Sequence, residues 1–205
     1  MKKSDITKQK ILEAAETAFS EKGLYGARVD EITEAAGVNK RMIYAYFGSK
    51  EKLYVAVLDT VYRRLTEREE ELLNQQSDCV ETVKRIIAHY FTFLHENPTF
   101  VKMLMWENLN EGQYLKQSEA PAAKGTAVNL LRTVLKQGAA QGLFRDDLDL
   151  DELIVSINMF CFSYFSNIYT MAQIMKADLN RDDMVNKRCA HVTDIILRYI
   201  LKEKE

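Results

Sequence analysis

The sequence predicts an all-α protein, on three observations. Only 2 prolines and 8 glycines interrupt its 205 residues, so long helices meet few breaks. Apolar residues recur at the spacing of one helix face in segment after segment. No run of alternating β-branched residues is bounded by hairpin turns. We expect an N-terminal three-helix domain over residues 1–50, a connecting helix over 51–74 and a larger helical domain over 75–205.

The first helix is expected from about Asp5 to Lys22. Ile11, Ala15 and Phe19 fall on one stripe at helical spacing, which marks the face that packs against a core. Gly23 follows directly, and glycine is the residue that most often ends a helix.

Two short helices follow, over about Val29–Ala36 and Lys40–Phe47. Gly37 stands between them, where the chain needs a residue that tolerates the left-handed conformation. Asn39 is placed to cap the second short helix by accepting from its free backbone N–H groups. Ser49 is placed in the same way to cap a fourth, longer helix that we expect to run beyond Glu71.

The rest of the chain continues as helices separated by polar breaks. The clearest break is Asn74–Asp78, which we take as the linker. Further helices are expected over about Cys79–Glu96, from Pro98 onward, and over Ala122–Gln141, Leu153–Met175 and Asp183–Lys202.

The last two helices carry more apolar surface than one small core covers. We therefore expect them to form a homodimer interface. The residues predicted to lie in it are Ile157, Ile168, Val192, Ile195, Ile196 and Tyr199.

Composition and charge exclude several classes of protein. The net charge is −2, with an excess of +2 in residues 1–50 and −4 in the rest, so no tail or domain is strongly basic. The three cysteines suggest neither a disulfide framework nor a metal site, and we expect no metal and no cofactor. No signal peptide or membrane-spanning stretch is recognisable, which predicts a cytoplasmic protein without a membrane partner.

The most informative stretch is residues 32–53. It reads as two short helices joined by a turn and followed at once by a third, the arrangement in which a helix-turn-helix presents a recognition helix to the DNA major groove. Lys40 and Arg41 are the predicted base readers, because such side chains donate to guanine. Arg28 is a third candidate for a phosphate or base contact. The predicted phosphate-positioning residues are Asn39, Tyr44, Tyr46 and Lys50.

These residues resemble the TetR family of bacterial transcriptional regulators in type, order and spacing over residues 6–58. The resemblance implies a helix-turn-helix domain followed by a helical domain that forms a ligand pocket and a dimer interface. The sequence departs from the pattern at Ala27-Arg28, where a hydroxyl residue usually caps the next helix, and at Thr33, Asn39 and Tyr46. The matching residues are Ile11, Leu12, Ala14, Ala15, Phe19, Gly23, Ile32, Ala36, Gly37, Val38, Tyr44, Phe47, Ser49, Lys50, Glu51 and Leu53.

By this resemblance the protein is a ligand-responsive regulator, most simply a repressor, that binds double-stranded DNA as a homodimer. A two-fold dimer would read a palindromic operator whose half-sites lie roughly 34–36 Å apart. A small-molecule effector would release it from DNA, in a pocket with aromatic walls and a few polar groups. The residues predicted to line that pocket are Phe93, Met103, Trp106, Glu107, Asn158, Phe162, Tyr164, Phe165 and Asn167.

Two alternatives remain at this point, besides a helical scaffold without DNA binding, which would leave the cluster of Lys40, Arg41 and Lys50 unexplained. One is a redox-responsive regulator that acts through Cys161 or Cys189, although both lie on apolar helix stripes. The other is an enzyme that converts a small molecule on the helical scaffold. No nucleophile motif, Gly-rich phosphate loop or carboxylate pair supports catalysis, so we predict that the protein is not an enzyme.

Overall fold

The computed structural model describes residues 3–73, 78–119 and 125–203. This part of the chain folds into ten α-helices, a 3₁₀ turn at Leu115–Gln117 and an isolated antiparallel bridge between Phe144 and Leu201, which confirms the predicted all-α class. The helices are α1 (Lys3–Gly26), α2 (Val29–Ala36), α3 (Lys40–Phe47), α4 (Lys50–Leu73), α5 (Cys79–Glu96), α6 (Pro98–Leu109), α7 (Gly125–Ala140), α8 (Leu150–Ser166), α9 (Ile168–Met175) and α10 (Asp182–Ile200).

The chain divides into two compact units. The N-terminal unit contains Met1–Leu65 and Thr99–Lys124, and the second unit contains Thr66–Pro98 and Gly125–Glu205. Except for its first residue, Pro98, α6 therefore belongs with the helix-turn-helix, although it lies beyond α5 in the sequence. Most of the predicted linker, residues 74–77, and the predicted helix start at 122–124 lie outside the described residues.

The N-terminal unit is built around aromatic rings. The ring of Tyr54, which is fully buried, lies edge-on to those of Phe19 and Tyr114, with centroids 5.1 and 5.3 Å away. Tyr62 and Phe100 make a similar contact at 5.3 Å. Edge-to-face pairs of this kind stabilise a core beyond the area they bury. They join α1 and α4 to α6 and the turn that follows it.

The sequence predicts that the first helix ends at Gly23, but in the structure α1 continues to Gly26 across a kink at this residue. Gly23 has φ 65° and ψ 178°, a conformation that is almost confined to glycine. The indole of Trp106 lies so close that a Cβ on Gly23 would be 2.8 Å from two of its carbons, and the Trp106 N–H donates to the carbonyl of Ser20 at 3.2 Å. The glycine is therefore required both by the backbone conformation and by the space that the ring occupies.

The second unit has an apolar core to which five helices contribute. Its buried side chains come from α5, α7, α8 and α10, with Ile168 of α9 at one edge. Phe144 packs against Gly138 of α7, where a Cβ would lie 2.1 Å from the ring. The main core residues are Val83, Ile87, Phe91, Leu94, Leu131, Leu135, Phe144, Leu153, Ile157, Cys161, Val192, Ile196 and Ile200.

The prediction of one continuous helix over Leu153–Met175 is wrong. The structure breaks it at Asn167, and α8 and α9 meet at an angle of 72°. The Asn167 amide donates to the carbonyl of Ser163 at 3.0 Å and to the hydroxyl of Ser166 at 2.9 Å. Such local bonds compete with the helical ladder and are a recognised cause of kinks.

Within the described residues, no single helix is long and apolar enough to cross a membrane. The bent pair α8 and α9 reaches the required length and composition only when taken together.

Candidate nucleic-acid interface

The turn between α2 and α3 has the local geometry that the sequence predicts. Gly37 adopts the left-handed conformation, with φ 63°, and ends α2. The Asn39 side chain accepts from the backbone N–H of Arg41 at 2.9 Å and so caps α3. The Ser49 hydroxyl accepts from the backbone N–H of Lys52 at 3.1 Å and caps α4. These caps hold two short helices that would be unstable in isolation.

α3 is oriented by its two buried residues. Ile43 and Phe47 are the buried side chains of α3, and they lie in the core of the N-terminal unit. The opposite side of α3 is therefore exposed, as a recognition helix requires. The seven predicted DNA contacts all lie on exposed or half-buried positions, namely Arg28, Asn39, Lys40, Arg41, Tyr44, Tyr46 and Lys50.

The two predicted base-reading residues differ in whether their charged groups are paired with another side chain. The Arg41 guanidinium makes no hydrogen bond or ion pair with any described residue, so its donors are available to a ligand. The Lys40 ammonium instead lies 2.7 Å from a carboxylate oxygen of Asp30 on α2. This hydrogen bond lowers the pKa of Asp30 and raises the pKa of Lys40.

Arg28 stands at the N-cap position of α2, and its side chain makes no capping hydrogen bond there. This agrees with the departure noted at Ala27-Arg28, where the family pattern has a hydroxyl residue. Arg28 is exposed and its charge influences both Asp30 and Lys40. The start of α2 and the start of α3 therefore form one charged surface.

Sequence reasoning missed two residues of this surface. Asp30 lies ten residues before Lys40, and a pair that spans the helix-turn-helix leaves no local signal in the sequence. Lys8 of α1 places its ammonium 5.8 Å from the ring centroid of Phe47, a cation–π distance. The signal that could have found Lys8 is its place in the sequence, one turn before the apolar stripe that includes Ile11.

A second surface of the N-terminal unit is unsuited to DNA. A groove of about 680 Å³ lies between α1 and α2, with a floor of small residues that includes Ala14, Ala18 and Ala35. Four glutamates and two lysines line it, which leaves an excess of two negative charges. Because phosphate attraction dominates DNA affinity, the negative charge of this groove disfavours DNA there.

Three of the predicted effector contacts have structural partners inside the N-terminal unit. Met103 is fully buried, and Trp106 is held against Gly23 and Ser20. Glu107 is buried and accepts from the backbone N–H of Leu115 at 2.8 Å. Its charge adds to the effect of burial in raising the pKa of Tyr54. Their sequence positions suggested a pocket wall because an aromatic stripe looks the same whether it lines a pocket or a core.

The other six predicted effector contacts belong to the second unit. Phe91, Tyr164 and Phe165 form an aromatic cluster with centroids 5.2–6.2 Å apart, and the hydroxyl of Tyr164 donates to the carbonyl of Leu179 at 2.6 Å. Phe93 is buried, whereas Asn158 and Phe162 are half-buried and Asn167 is exposed. Both asparagine amides donate to carbonyls of their own helix.

A charged group lies close to that cluster. Burial raises the pKa of Tyr164, and the positive charge of Arg188 on α10 offsets part of this rise. The Nε atom of Arg188 is buried and has no hydrogen-bond partner among the described residues. An unpaired buried donor is costly, and an ordered water or a bound polar group can satisfy it.

The six predicted dimer residues differ in how exposed they are. Ile157, Ile168, Val192 and Ile196 are buried within the second unit's own core, so their side chains are not available to a second chain. Helical periodicity identifies a buried face but not what buries it. Ile195 is half-buried, and Tyr199 is 50% exposed beneath the guanidinium of Arg145 at 5.1 Å.

Other apolar side chains of this unit are exposed instead. Val155 and Met159 are each more than half exposed and lie one turn apart on α8. On α9, Tyr169, Ile174 and Met175 are more than 60% exposed. These exposed side chains make this part of the second unit's surface more apolar than a surface exposed to water usually is.

The cysteines are poorly placed for redox sensing. Cys79 and Cys161 are buried, and Cys189 is half-buried. Burial raises the pKa of Cys161 to about 12 and also raises the pKa of Cys189, which keeps both as unreactive thiols. In the part of the chain that the structure describes, no group of three or more His, Cys, Asp and Glu residues is arranged to hold a metal ion.

The capped recognition helix, with its free arginine, and the all-α fold define a helix-turn-helix DNA-binding regulator. Family models agree, since the one described as "Bacterial regulatory proteins, tetR family" matches residues 11–57 and the one described as "Tetracyclin repressor-like, C-terminal domain" matches residues 80–196. The chain therefore belongs to the TetR family, and it is a DNA-binding transcriptional regulator.

Curated relatives give the same family. The chain is 34% identical over 196 residues to the HTH-type transcriptional repressor NicS of Pseudomonas putida. The aligned region covers 95% of this chain and 92% of that protein. It is 26% identical over 150 residues to the HTH-type transcriptional repressor SCO4008 of Streptomyces coelicolor, or 73% of each.

Solved structures with lower identity share the fold. A TetR transcriptional regulator from Chloroflexus aurantiacus superposes with a TM-score of 0.75 at 20% identity, over 99% of this chain and 100% of that one. The transcriptional regulator FadR from Bacillus subtilis, solved in complex with stearoyl-CoA, gives a TM-score of 0.72 at 21% identity, over 92% and 97%.

Proposed function

We propose that this protein is a homodimeric repressor that binds a palindromic operator through α3 and leaves it when a small-molecule effector binds. The observation that carries the proposal is that the Arg41 side chain is exposed and its guanidinium is unpaired among the described residues. It extends from a helix that is capped and held by a buried face, and its guanidinium has no partner among the described residues. A guanidinium held in this way is suited to donate two hydrogen bonds to guanine in the major groove.

The surrounding side chains supply the phosphate contacts of the proposal. Lys50 stands in the first turn of α4, where its charge and the helix N-terminus attract the same phosphate. Tyr44 and Tyr46 offer hydroxyls from α3, and Asn39 offers the amide group that also caps the helix. Lys8 adds a cation from α1. Such contacts fix the register of the protein on DNA, while Arg41 and Lys40 select the sequence.

Substitution of Arg41 tests the interface. In a dimer, Arg41→Ala removes a base contact from each half-site, at about 1–3 kcal/mol per contact, so operator affinity should fall by at least about 30-fold. Arg63→Ala is the matched control, because it removes an exposed arginine from α4 of the same unit. Fluorescence anisotropy with labelled operator and with scrambled DNA measures both. Equal losses for the two variants would contradict the assignment.

For the dimer, we propose that the exposed faces of α8 and α10 meet a second copy. Support comes from Val155 and Met159 on α8, with Ile195 and Tyr199 contributing from α10. Met159→Asp should turn a dimer into a monomer in light scattering after size exclusion, because it places a charge in an apolar contact. Leu109→Asp, an exposed apolar residue of the N-terminal unit, should remain dimeric. A monomeric wild type would overturn this part.

For the effector, we propose a mostly apolar small molecule that carries an acidic group. Support comes from the aromatic cluster of the second unit and from the unpaired Nε of Arg188 beside it. We propose that Phe93, Tyr164 and Phe165 form the walls of the effector pocket. Asn158, Phe162 and Asn167 would make further contacts. A panel of small carboxylic acids, each paired with its primary amide, should release operator DNA only in the acid form. Release by the amides to the same extent would contradict the role of Arg188.

A further inference from the structure

We propose that Asp30 is a specificity-determining residue, which holds Lys40 away from non-specific phosphates and gives it up only on the operator. This inference rests on the proposed DNA-binding function of α3 and adds a role for an acidic residue that faces DNA. Two neighbouring cations of the α3 surface differ in their pairing. Of the two neighbouring cations at the start of α3, Arg41 is unpaired among the described residues and Lys40 is paired.

The pair is geometrically direct. The Lys40 Nζ and Asp30 Oδ1 atoms lie 2.7 Å apart and join the first turn of α3 to the first turn of α2. Both side chains are at least half exposed, so the contact is reversible and does not hold the fold together. Arg28 and Tyr44 are the other titratable groups whose charges reach Lys40. Lys40 is thus held in place by a charge that is itself open to solvent.

The consequence for DNA binding is a competition. A phosphate that binds Lys40 must replace Asp30, and the displaced carboxylate is then left close to the negative duplex. Non-specific DNA offers Lys40 a single phosphate contact. The free energy of that contact is only slightly more favourable than that of the ion pair with Asp30 that it breaks. An operator offers in addition the base contacts of Arg41, which draw α3 into the groove. Repulsive elements of this kind raise specificity by weakening the wrong complexes more than the right one.

The test compares two neighbouring substitutions in the full-length protein. Asp30→Asn and Glu31→Gln each remove one negative charge from the first turn of α2, so they change net charge and helix-dipole interactions alike. They differ in the cation that they release, because Glu31 pairs with Lys22 of α1 at 2.9 Å and Asp30 pairs with Lys40 of α3. The probe is a labelled duplex of scrambled sequence, titrated at several salt concentrations.

Asp30→Asn should bind the scrambled duplex about two- to five-fold more tightly at low salt, as expected for one freed exposed cation. Its plot of log affinity against log salt should steepen by about 0.9 per protomer, the value for one more phosphate contact. Glu31→Gln should change neither. In the Asp30→Asn, Lys40→Gln double variant the gain should disappear, since no ammonium remains to be released.

Other outcomes would overturn the inference. Equal gains for Asp30→Asn and Glu31→Gln would mean that net charge alone is responsible. A loss of operator affinity in Asp30→Asn, with unchanged binding to scrambled DNA, would mean that Asp30 itself reads a base, as carboxylates do with cytosine. These outcomes leave the proposed function standing. If the wild type shows no preference for any sequence, the proposed function itself is contradicted. This result is obtained before the variants are compared.

Discussion

The contact between Gly23 and Trp106 yields a stability prediction that can be worked from distances. An alanine at position 23 would have to adopt φ 65° and ψ 178°, which costs about 1–3 kcal/mol for a residue with a side chain. Its Cβ would also lie 2.8 Å from two carbons of the indole, and overpacking of this kind costs about 1–3 kcal/mol. Gly23→Ala should therefore lower the free energy of unfolding by about 2–6 kcal/mol.

A double-mutant cycle with Trp106→Ala separates the two costs. Without the indole ring the steric cost disappears, so Gly23→Ala in that background should cost only the backbone part, about 1–3 kcal/mol. The difference is a coupling energy of about 1–3 kcal/mol between the two positions. Trp106 is the only tryptophan of the chain, so urea unfolding must be followed by far-UV circular dichroism rather than by tryptophan fluorescence.

Gly37→Ala is the control for this cycle. Gly37 also has a positive φ, at 63°, but nothing lies within 4 Å of its Cβ position. Its replacement should cost about 1–2 kcal/mol, the ordinary left-handed penalty, whether or not Trp106 is present. If the costs of Gly23→Ala and Trp106→Ala add within about 0.5 kcal/mol, the proposed steric contact does not exist.

Three further predictions concern packing, pH and salt. Gly138→Ala should destabilise the protein by at least about 1–3 kcal/mol in urea unfolding, because its Cβ would lie 2.1 Å from the Phe144 ring. The raised pKa of Cys161 implies a stability contribution that is complete below its unfolded value of 9.0 and is lost as the pH rises towards about 12. Thermal unfolding temperatures should therefore fall over this range, and less steeply in Cys161→Ala. Lys50→Ala should reduce the salt dependence of operator binding by about 0.9 per protomer without relaxing sequence preference.

The local parts of the interface could be predicted from the sequence because their causes lie within a few residues. The left-handed Gly37, the cap by Asn39 and the cap by Ser49 each depend on a side chain and the backbone of the next turn. The Lys40–Asp30 pair could not be predicted in this way. It crosses the turn between two helices, and nothing in the spacing of the two residues indicates that their side chains meet.

The second unit shows where helical periodicity stops being informative. The spacing of Val192 and Ile196 predicts a buried face, and both are buried. Whether that face packs on the same chain or on a partner depends on tertiary contacts, and in the structure these two side chains lie in the core of their own chain. The break at Asn167 was missed because apolar residues continue on both sides of it, while the hydrogen bonds that cause it come from two polar side chains, those of Ser166 and Asn167.

Selection of genomic DNA fragments by the purified protein, followed by sequencing of the retained pool at physiological salt, tests the central claim most directly. The account predicts enrichment of one palindromic sequence whose recovery is lost with Arg41→Ala and is retained with Arg63→Ala. A retained pool with no enriched sequence, from protein that has been unfolded and refolded to remove any bound small molecule, would contradict it.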